Sequence, residues 1–130
     1  MSKYFKSFLS KENKERVGVK SMSILNSERT QQYRVVGTQF PNEDGTSRQN
    51  NLSVVTKKSK IILKREPENE YDTNAVAVYA DGKMVGYIGS YYAGLLAPKM
   101  DRGEKFIASV EQVGKMKDKY YLHIFINPIK

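Results

Sequence analysis

The sequence contains no cysteine and no tryptophan, and only one histidine and four prolines among its 130 residues. The absence of cysteine excludes a disulfide framework and any zinc site with cysteine ligands. No apolar run approaches the roughly 18 residues that a membrane-spanning helix needs. The N-terminal stretch lacks the small-residue cleavage site of a secretory signal. We therefore predict one cytoplasmic domain that is large enough to form a core without cross-links.

Acidic residues are also in deficit, because 22 Lys and Arg face 14 Asp and Glu and give a formal charge of +8. Seven bases and three acids lie in residues 1–33, and six bases and three acids lie in residues 102–130. The stretch 34–101 is nearly balanced, with nine bases and eight acids. Such an excess indicates a polyanionic partner, with nucleic acid first. The alternative is that the lysine-rich ends only keep the protein soluble.

Residues 1–32 have no sustained hydrophobic period. Tyr4, Phe5, Phe8 and Leu9 recur at helical spacing and predict a helical turn or two. We interpret 1–32 as a basic, partly ordered N-terminal arm that packs on the rest of the chain or mediates self-association. Residues 33–130 then form the folded domain.

Six runs of strand-forming residues follow the arm, and turn-forming residues separate them. Asp81-Gly82 between two of the runs is a strong signal for a two-residue hairpin. The runs lie at 33–40, 60–65, 75–80, 83–88, 105–113 and 119–126. So many short strands predict a mainly β fold, namely a small OB-like or SH3-like six-stranded barrel.

One or two short helices complete this prediction. Ser47 is a suitable N-cap for a helix that reaches Val55. Ser90 is a suitable N-cap for a second helix, whose end is bracketed by Pro98 and Gly103.

The most particular stretch is KREPENEYDTNAVA at 64–77, where a polar loop joins two predicted strands. Tyr71 stands directly beside Asp72 in this loop, and a simple reversal of the chain needs neither of them. The alternative is a purely structural loop, in which Asn74 makes an Asx-turn and Tyr71 covers the end of the barrel. An Arg65–Glu66 ion pair is a further structural expectation for this loop.

An enzyme is the hypothesis that the sequence argues against. The acids at 66, 68, 70 and 72 are of the type that holds Mg²⁺, but no lysine or histidine stands at a nuclease-like spacing from them. No phosphate-cradling Gly-x-x-x-x-Gly-Lys motif is present. His123 stands alone in a predicted strand, so we interpret it as structural. We expect no catalytic activity, no metal and no cofactor.

In three segments the sequence resembles the HIRAN domain family, in particular its stand-alone bacterial-type members. The segments are VVGTQF at 35–40, LKREPENEYDTNAVAVY at 63–79 and VGYIGSYYAGLLAPKMD at 85–101, and the resemblance covers about half of the chain. The resemblance implies an OB-like barrel that binds DNA, in one studied branch by capturing the 3′ end of a single strand.

The resemblance also implies a nucleic-acid-binding set: Gln39, Phe40, Tyr71, Asp72, Tyr87 and Ser90. In that branch the pair matching Tyr71 and Asp72 holds the terminal nucleotide, and an aromatic at the place of Phe40 stacks on a base. Gln39 and Ser90 stand where the branch has an arginine and a lysine, so two phosphate contacts are missing. Other bases, Arg48 among them, have no position that the sequence alone assigns.

Two hypotheses about function follow. The first is a non-catalytic module that binds nucleic acid, single-stranded DNA above all, at its 3′-hydroxyl end. The alternative is a protein-interaction domain that self-associates through the arm, or that docks into a DNA-repair or phage-related assembly.

Overall fold

The structure, a computed structural model, describes residues 31–130. These residues form, in chain order, β1 (Gln31–Val36), α1 (Arg48–Leu52), β2 (Ile61–Arg65), β3 (Val76–Ala80), β4 (Lys83–Ile88), α2 (Ser90–Asp101), β5 (Phe106–Met116) and β6 (Lys119–Pro128). The strands are antiparallel and close into a barrel in the order β1-β4-β3-β2-β5-β6. The predicted six-stranded barrel with two short helices is confirmed. The predicted arm lies outside the described residues, except for its last two positions, which begin β1.

The core of the barrel follows from the alternation of apolar side chains along the strands. In β6, Leu122, Ile124 and Ile126 are buried, whereas the residues between them are only half-buried. Helix α2 closes the core with Ala93 and Leu96. Each fully buried Leu or Ile contributes about 1.5–3 kcal/mol of hydrophobic stabilisation.

Two tight hairpins connect the strands. Asp81 and Gly82 have φ angles of 51° and 84°, the positive values that a two-residue hairpin turn needs. The second turn, at Lys117, is much shorter than the predicted connection at 114–118, because β5 continues to Met116 and pairs there with Lys119. Strand β5 pairs with β2 at one position, Ile61↔Ala108. The β5–β6 hairpin therefore extends beyond the closed part of the barrel.

The first predicted strand is too long at its end. Strand β1 ends at Val36 rather than at position 40, because Gly37 has a φ of 71° and turns the chain. The N–H of Phe40 then donates to the carbonyl of Gly37, so Phe40 lies in a loop. This turn determines where Phe40 is presented.

The helix boundaries also differ from the prediction. Ser47 caps α1 as expected and accepts a hydrogen bond from the N–H of Asn50 at 3.0 Å. The helix ends at Leu52 instead of Val55, because the Ser53 hydroxyl donates to the carbonyl of Asn50 at 2.6 Å.

The predicted N-cap of the second helix is wrong. The N-cap of α2 is Gly89, and Ser90 is the first helical residue, without a side-chain capping bond. The predicted end is confirmed: Pro98 lies inside α2, and the helix continues past it to Asp101, before Gly103. It continues because Met100, beyond the proline, still packs against the core.

Candidate nucleic-acid interface

An open groove runs along one side of the barrel, between the loop that follows β1, the loop between β2 and β3, and strand β4. Its volume of about 1560 Å³ is larger than a typical small-molecule pocket of roughly 300–1,000 Å³. Of the six residues predicted to bind, five line it: Phe40, Tyr71, Asp72, Tyr87 and Ser90. The sixth, Gln39, is exposed in the preceding turn and is not among the lining residues.

The loop between β2 and β3 is organised by two side chains that bond to the backbone. Oδ1 of Asn69 accepts hydrogen bonds from the N–H groups of Tyr71 and Asp72, at 2.8 and 3.0 Å. Oδ1 of Asp72 accepts from the N–H of Asn74 at 2.8 Å. The turn residues are thus Asn69 and Asp72, and the expected role of the Asn74 side chain is wrong. Tyr71 does not cover the barrel, because 89% of it is exposed.

Arg65 ties this loop to the end of α2. Its guanidinium donates to the carbonyls of Thr73 and Ala75 at 3.0 and 2.7 Å, and to both carboxylate oxygens of Asp101 at 2.9 and 3.1 Å. The bond to Arg65 lowers the pKa of Asp101 below its usual 3.8. The expected Arg65–Glu66 pair is therefore replaced by a pair with Asp101, and both ends of the loop are held.

A hydrogen-bonded tyrosine lies in the groove wall. The Tyr87 hydroxyl donates to Oε1 of Glu66 at 2.8 Å, and the Asn69 side chain donates to the same oxygen at 3.0 Å. Burial, followed by the bond to Glu66, raises the pKa of Tyr87 from 10.0 to about 12. Tyr87 therefore stays protonated and fixes Glu66, so its ring has one orientation in the groove.

Arg48 is the groove residue that the sequence did not place. Its guanidinium lies 5.3 Å from the centre of the Tyr87 ring. It also donates to Oδ1 of Asn42 at 2.8 Å and to the carbonyl of Gly37 at 2.9 Å. Arg48 is the first residue of α1, and the positive φ of Gly37 turns the chain beside it. Because these contacts depend on the fold of the loop, no local sequence pattern signals them.

The charge of the groove is the opposite of the charge of the whole chain. Six of its lining residues are acids and three are bases. The acids are Glu43, Asp44, Glu66, Glu68, Glu70 and Asp72, and the bases are Arg48, Arg65 and Lys83. Since Arg65 already pairs with Asp101, the groove presents few cations to a phosphate chain.

His123 lies away from the groove, on β6. Its Nδ1 is 3.7 Å from Oε1 of Glu111. Within residues 31–130 no group of three or more His, Cys, Asp or Glu side chains is arranged to hold a metal ion. In the same residues no helix has the length and apolar character needed to cross a membrane.

A closed six-stranded barrel with a wide groove between its loops is the architecture of a small β-barrel binding module. A family model described as the HIRAN domain matches residues 29–126, so the chain belongs to the HIRAN domain family. The resemblance inferred from the three sequence segments is confirmed. HIRAN domains are nucleic-acid-binding modules.

Two solved structures are similar to this chain. The crystal structure of the HIRAN domain of human HLTF has 26% identity and a TM-score of 0.54, over 75% of this chain and 74% of that chain. The crystal structure of a protein from Lactobacillus plantarum has 23% identity and a TM-score of 0.57, over 74% of this chain and 91% of that chain. At its lower identity, the second likeness concerns the fold alone. No curated protein matches this chain.

Proposed function

We propose that the groove binds single-stranded DNA by its 3′-hydroxyl end. One observation carries the proposal: the fold gathers Phe40, Tyr71, Asp72, Tyr87 and Ser90 from four separate segments around one open channel. These are five of the six residues that the family resemblance assigns to DNA. A protein that used them only for packing would not expose Tyr71 and Phe40 to 89% and 58%.

Asp72 is the residue suited to a free hydroxyl. Its Oδ1 already accepts from the N–H of Asn74, and within the described residues its Oδ2 accepts no hydrogen bond. A carboxylate oxygen accepts a bond from a sugar hydroxyl and repels a phosphate at the same position. The acidic surroundings of the groove strengthen that discrimination. Asp72 thus selects strands that end in a hydroxyl.

The exposed rings supply affinity that does not depend on base identity. Phe40 and Tyr71 offer faces for the last bases or sugars of the strand, and stacking contributes about 1–3 kcal/mol per base. The ring of Tyr87 is covered on one side by the Arg48 guanidinium. Tyr87 therefore contributes by holding Arg48 and Glu66 in place, rather than by stacking on a base by itself.

Arg48 takes over the phosphate contact that Gln39 does not provide. It lines the groove, and its planar fork suits a phosphate. Ser90, at the first turn of α2, adds a hydroxyl near the free N–H groups of the helix. The proposed site therefore has one guanidinium and one helix end for phosphate, and one carboxylate for the terminal hydroxyl.

Fluorescence anisotropy with two oligonucleotides of one sequence tests this proposal. One ends in a 3′-hydroxyl and the other in a 3′-phosphate. We expect tighter binding of the 3′-hydroxyl strand by about tenfold or more, because the phosphate places a charge against Asp72. The Asp72→Asn variant should lose the preference, because an amide no longer repels the phosphate.

Glu70→Gln is the matched control, since it removes one groove charge beside the proposed contact and leaves Asp72 intact. It should keep the preference. Equal binding of the two strands by the unmodified protein would rule out end recognition. If Asp72→Asn kept the preference for the 3′-hydroxyl strand, a residue other than Asp72 would be responsible for that preference.

A further inference from the structure

The outside of the sheet formed by β1, β6 and β5 carries aromatic, polar and cationic side chains, the types that contact nucleic acids. Because Leu122, Ile124 and Ile126 point into the core, the residues between them in β6 point outward. We call the following residues the outer face: Gln32, Arg34, Gln112, Gly114, Tyr121, His123 and Phe125. None of them lines the groove.

The strand pairing brings polar and cationic side chains to both sides of a row of rings. Arg34 of β1 pairs with His123, and Gln112 of β5 pairs with the same residue from the other side. Tyr121, His123 and Phe125 alternate along one strand, so neighbouring rings start about 6.6–6.8 Å apart. The Tyr121 and His123 ring centres are 5.3 Å apart. A stretched single strand can place successive bases against such a row.

Tyr121 is seated on a glycine. A Cβ at Gly114 would lie 2.5 Å from the Tyr121 hydroxyl oxygen and 2.8 Å from Cζ, so no other residue fits under the ring without moving it. Gln112 donates to the Tyr121 hydroxyl at 3.0 Å. The ring is thus held flat against the sheet, which is the arrangement of a stacking platform.

The charge around the outer face also differs from that of the groove. Arg34 lies on it, and Lys117 and Lys119 lie at the end of the β5–β6 hairpin. Lys115 lies on the opposite face of the hairpin, where its Nζ is 5.3 Å from the centre of the Tyr120 ring. The acids in these two places are Glu111 and Asp118, which leaves three cations against two anions. Oε1 of Glu111 is buried and faces His123, so this carboxylate is drawn into the sheet.

We propose that the outer face is a second binding site, for the internal bases and phosphates of single-stranded nucleic acid. The partner class is that of the proposed function, but the residues, charge and part of the ligand are different. The groove takes the end of the strand, and the outer face takes an unbroken stretch that has no end. The rings supply stacking, and Arg34 with the hairpin lysines supplies phosphate contacts.

A circular single-stranded oligonucleotide of about 30 nucleotides separates the two sites, because it has no 3′ end for the groove. We expect the full chain to bind it, measured by the fluorescence anisotropy of a labelled circle. Exchanging both flanking rings, Tyr121→Leu with Phe125→Leu, keeps apolar volume and should weaken binding of the circle by about five- to 150-fold. Tyr71→Ala, in the groove, should not change it.

Arg34→Gln is a milder variant on an exposed side chain that leaves the core untouched. It should lower the slope of log affinity against log salt by about one for the circle. Lys99→Gln, an exposed charge on α2, is the matched control and should leave the slope unchanged. The proposal is overturned if the circle does not bind. It is also overturned if the circle binds the double-ring variant and the Arg34 variant as tightly as it binds the unmodified protein. A lost 3′-hydroxyl preference with circle binding intact would instead refute only the proposed function of the groove.

Discussion

The groove and the outer face are two aromatic surfaces of one barrel with opposite electrostatics. The groove has six acids and three bases, and a hydrogen-bond network fixes its shape. The outer face is an open strand surface with Arg34 and a lysine-rich hairpin end. The chain's charge of +8 therefore describes neither surface well. Net charge indicates a class of partner, but the distribution of charge determines which part of that partner each surface accepts.

This difference suggests a division of tasks. Aromatic side chains in an acidic groove suit a ligand part with few phosphates, such as the terminal sugar of a strand. Aromatic side chains near cations suit the repeating phosphate backbone. The barrel separates the two surfaces because the loops after β1 and between β2 and β3 line the groove, whereas the outward side chains of β1, β6 and β5 form the outer face. Three predictions test this comparison.

The largest expected effect comes from a pair of glycines, one near each surface. A Cβ at Gly86 would lie 2.7 Å from Cγ1 of the buried Val35 and 2.6 Å from the Val36 carbonyl oxygen, which cannot move without displacing β1. We expect Gly86→Ala to lower the free energy of unfolding by about 3 kcal/mol. At Gly114 the obstacle is the Tyr121 ring, which can swing outward. Gly114→Ala should therefore cost only about 1 kcal/mol, measured by urea denaturation.

Gly89→Ala is the steric control for Gly86→Ala, because a Cβ there meets nothing within 4 Å. Since Gly89 is the N-cap of α2 and alanine is a poorer N-cap than glycine, the free energy of unfolding should fall by no more than about 1 kcal/mol. Gly114→Ala should also weaken binding of the circular oligonucleotide, since the displaced ring no longer lies on the sheet. An equal cost at Gly86 and Gly114 would mean that the outer face is as rigid as the barrel wall.

A smaller effect is expected from Arg48, the groove guanidinium that we propose contacts phosphate. Arg48→Gln should weaken binding of a four-nucleotide strand with a 3′-hydroxyl by about tenfold, because one charge-assisted hydrogen bond to phosphate is lost. The salt slope for this short strand should fall by about one, and binding of the circular strand should be unchanged. Anisotropy titrations at several salt concentrations measure both quantities.

Arg48→Lys separates charge from geometry. The lysine keeps the positive charge but not the planar fork that bonds Asn42 and Gly37. We expect the salt slope to be retained and the affinity to fall. If Arg48→Gln weakened the circular strand as much as the short one, the two surfaces would not be independent.

The barrel itself was predictable from the sequence because its strands signal themselves locally. Alternation of apolar residues gave β6 its buried row, and Asp81-Gly82 gave the first hairpin. Boundaries were less predictable, because they depend on contacts made elsewhere in the fold. Gly37 ends β1 through its conformation, and Pro98 is accepted inside α2 because the helix packs on the core beyond it.

The candidate site was predictable only in part. Tyr71 and Asp72 were found through a motif, because they are adjacent in the chain. Arg48 lies 23 positions before Tyr71, and three contacts that exist only in the folded chain hold it, namely those with Tyr87, Asn42 and Gly37. The predicted ion-pair partner of Arg65 was the neighbouring Glu66, whereas the partner in the structure is Asp101, 36 residues away. Long-range polar pairs of this kind have no periodicity, so sequence patterns do not reveal them.

The smallest effect is expected at Tyr87. A variant there tests whether its hydrogen bond to Glu66 stabilises the groove without affecting binding at the outer face. Tyr87→Phe removes the bond to Glu66 and should lower the free energy of unfolding by about 1 kcal/mol at neutral pH. The folded-state pKa of about 12 lies above the usual 10.0, so the folded state holds this proton more tightly than the unfolded state. The stabilisation is thus fully present below pH 10 and is lost as the pH rises toward 12. Urea denaturation of both proteins at pH 8, 10 and 11.5 should show the difference shrinking, with binding of the circular strand at pH 8 unaffected. If the difference in unfolding free energy stayed constant to pH 11.5, deprotonation of Tyr87 would not contribute to the pH dependence of stability.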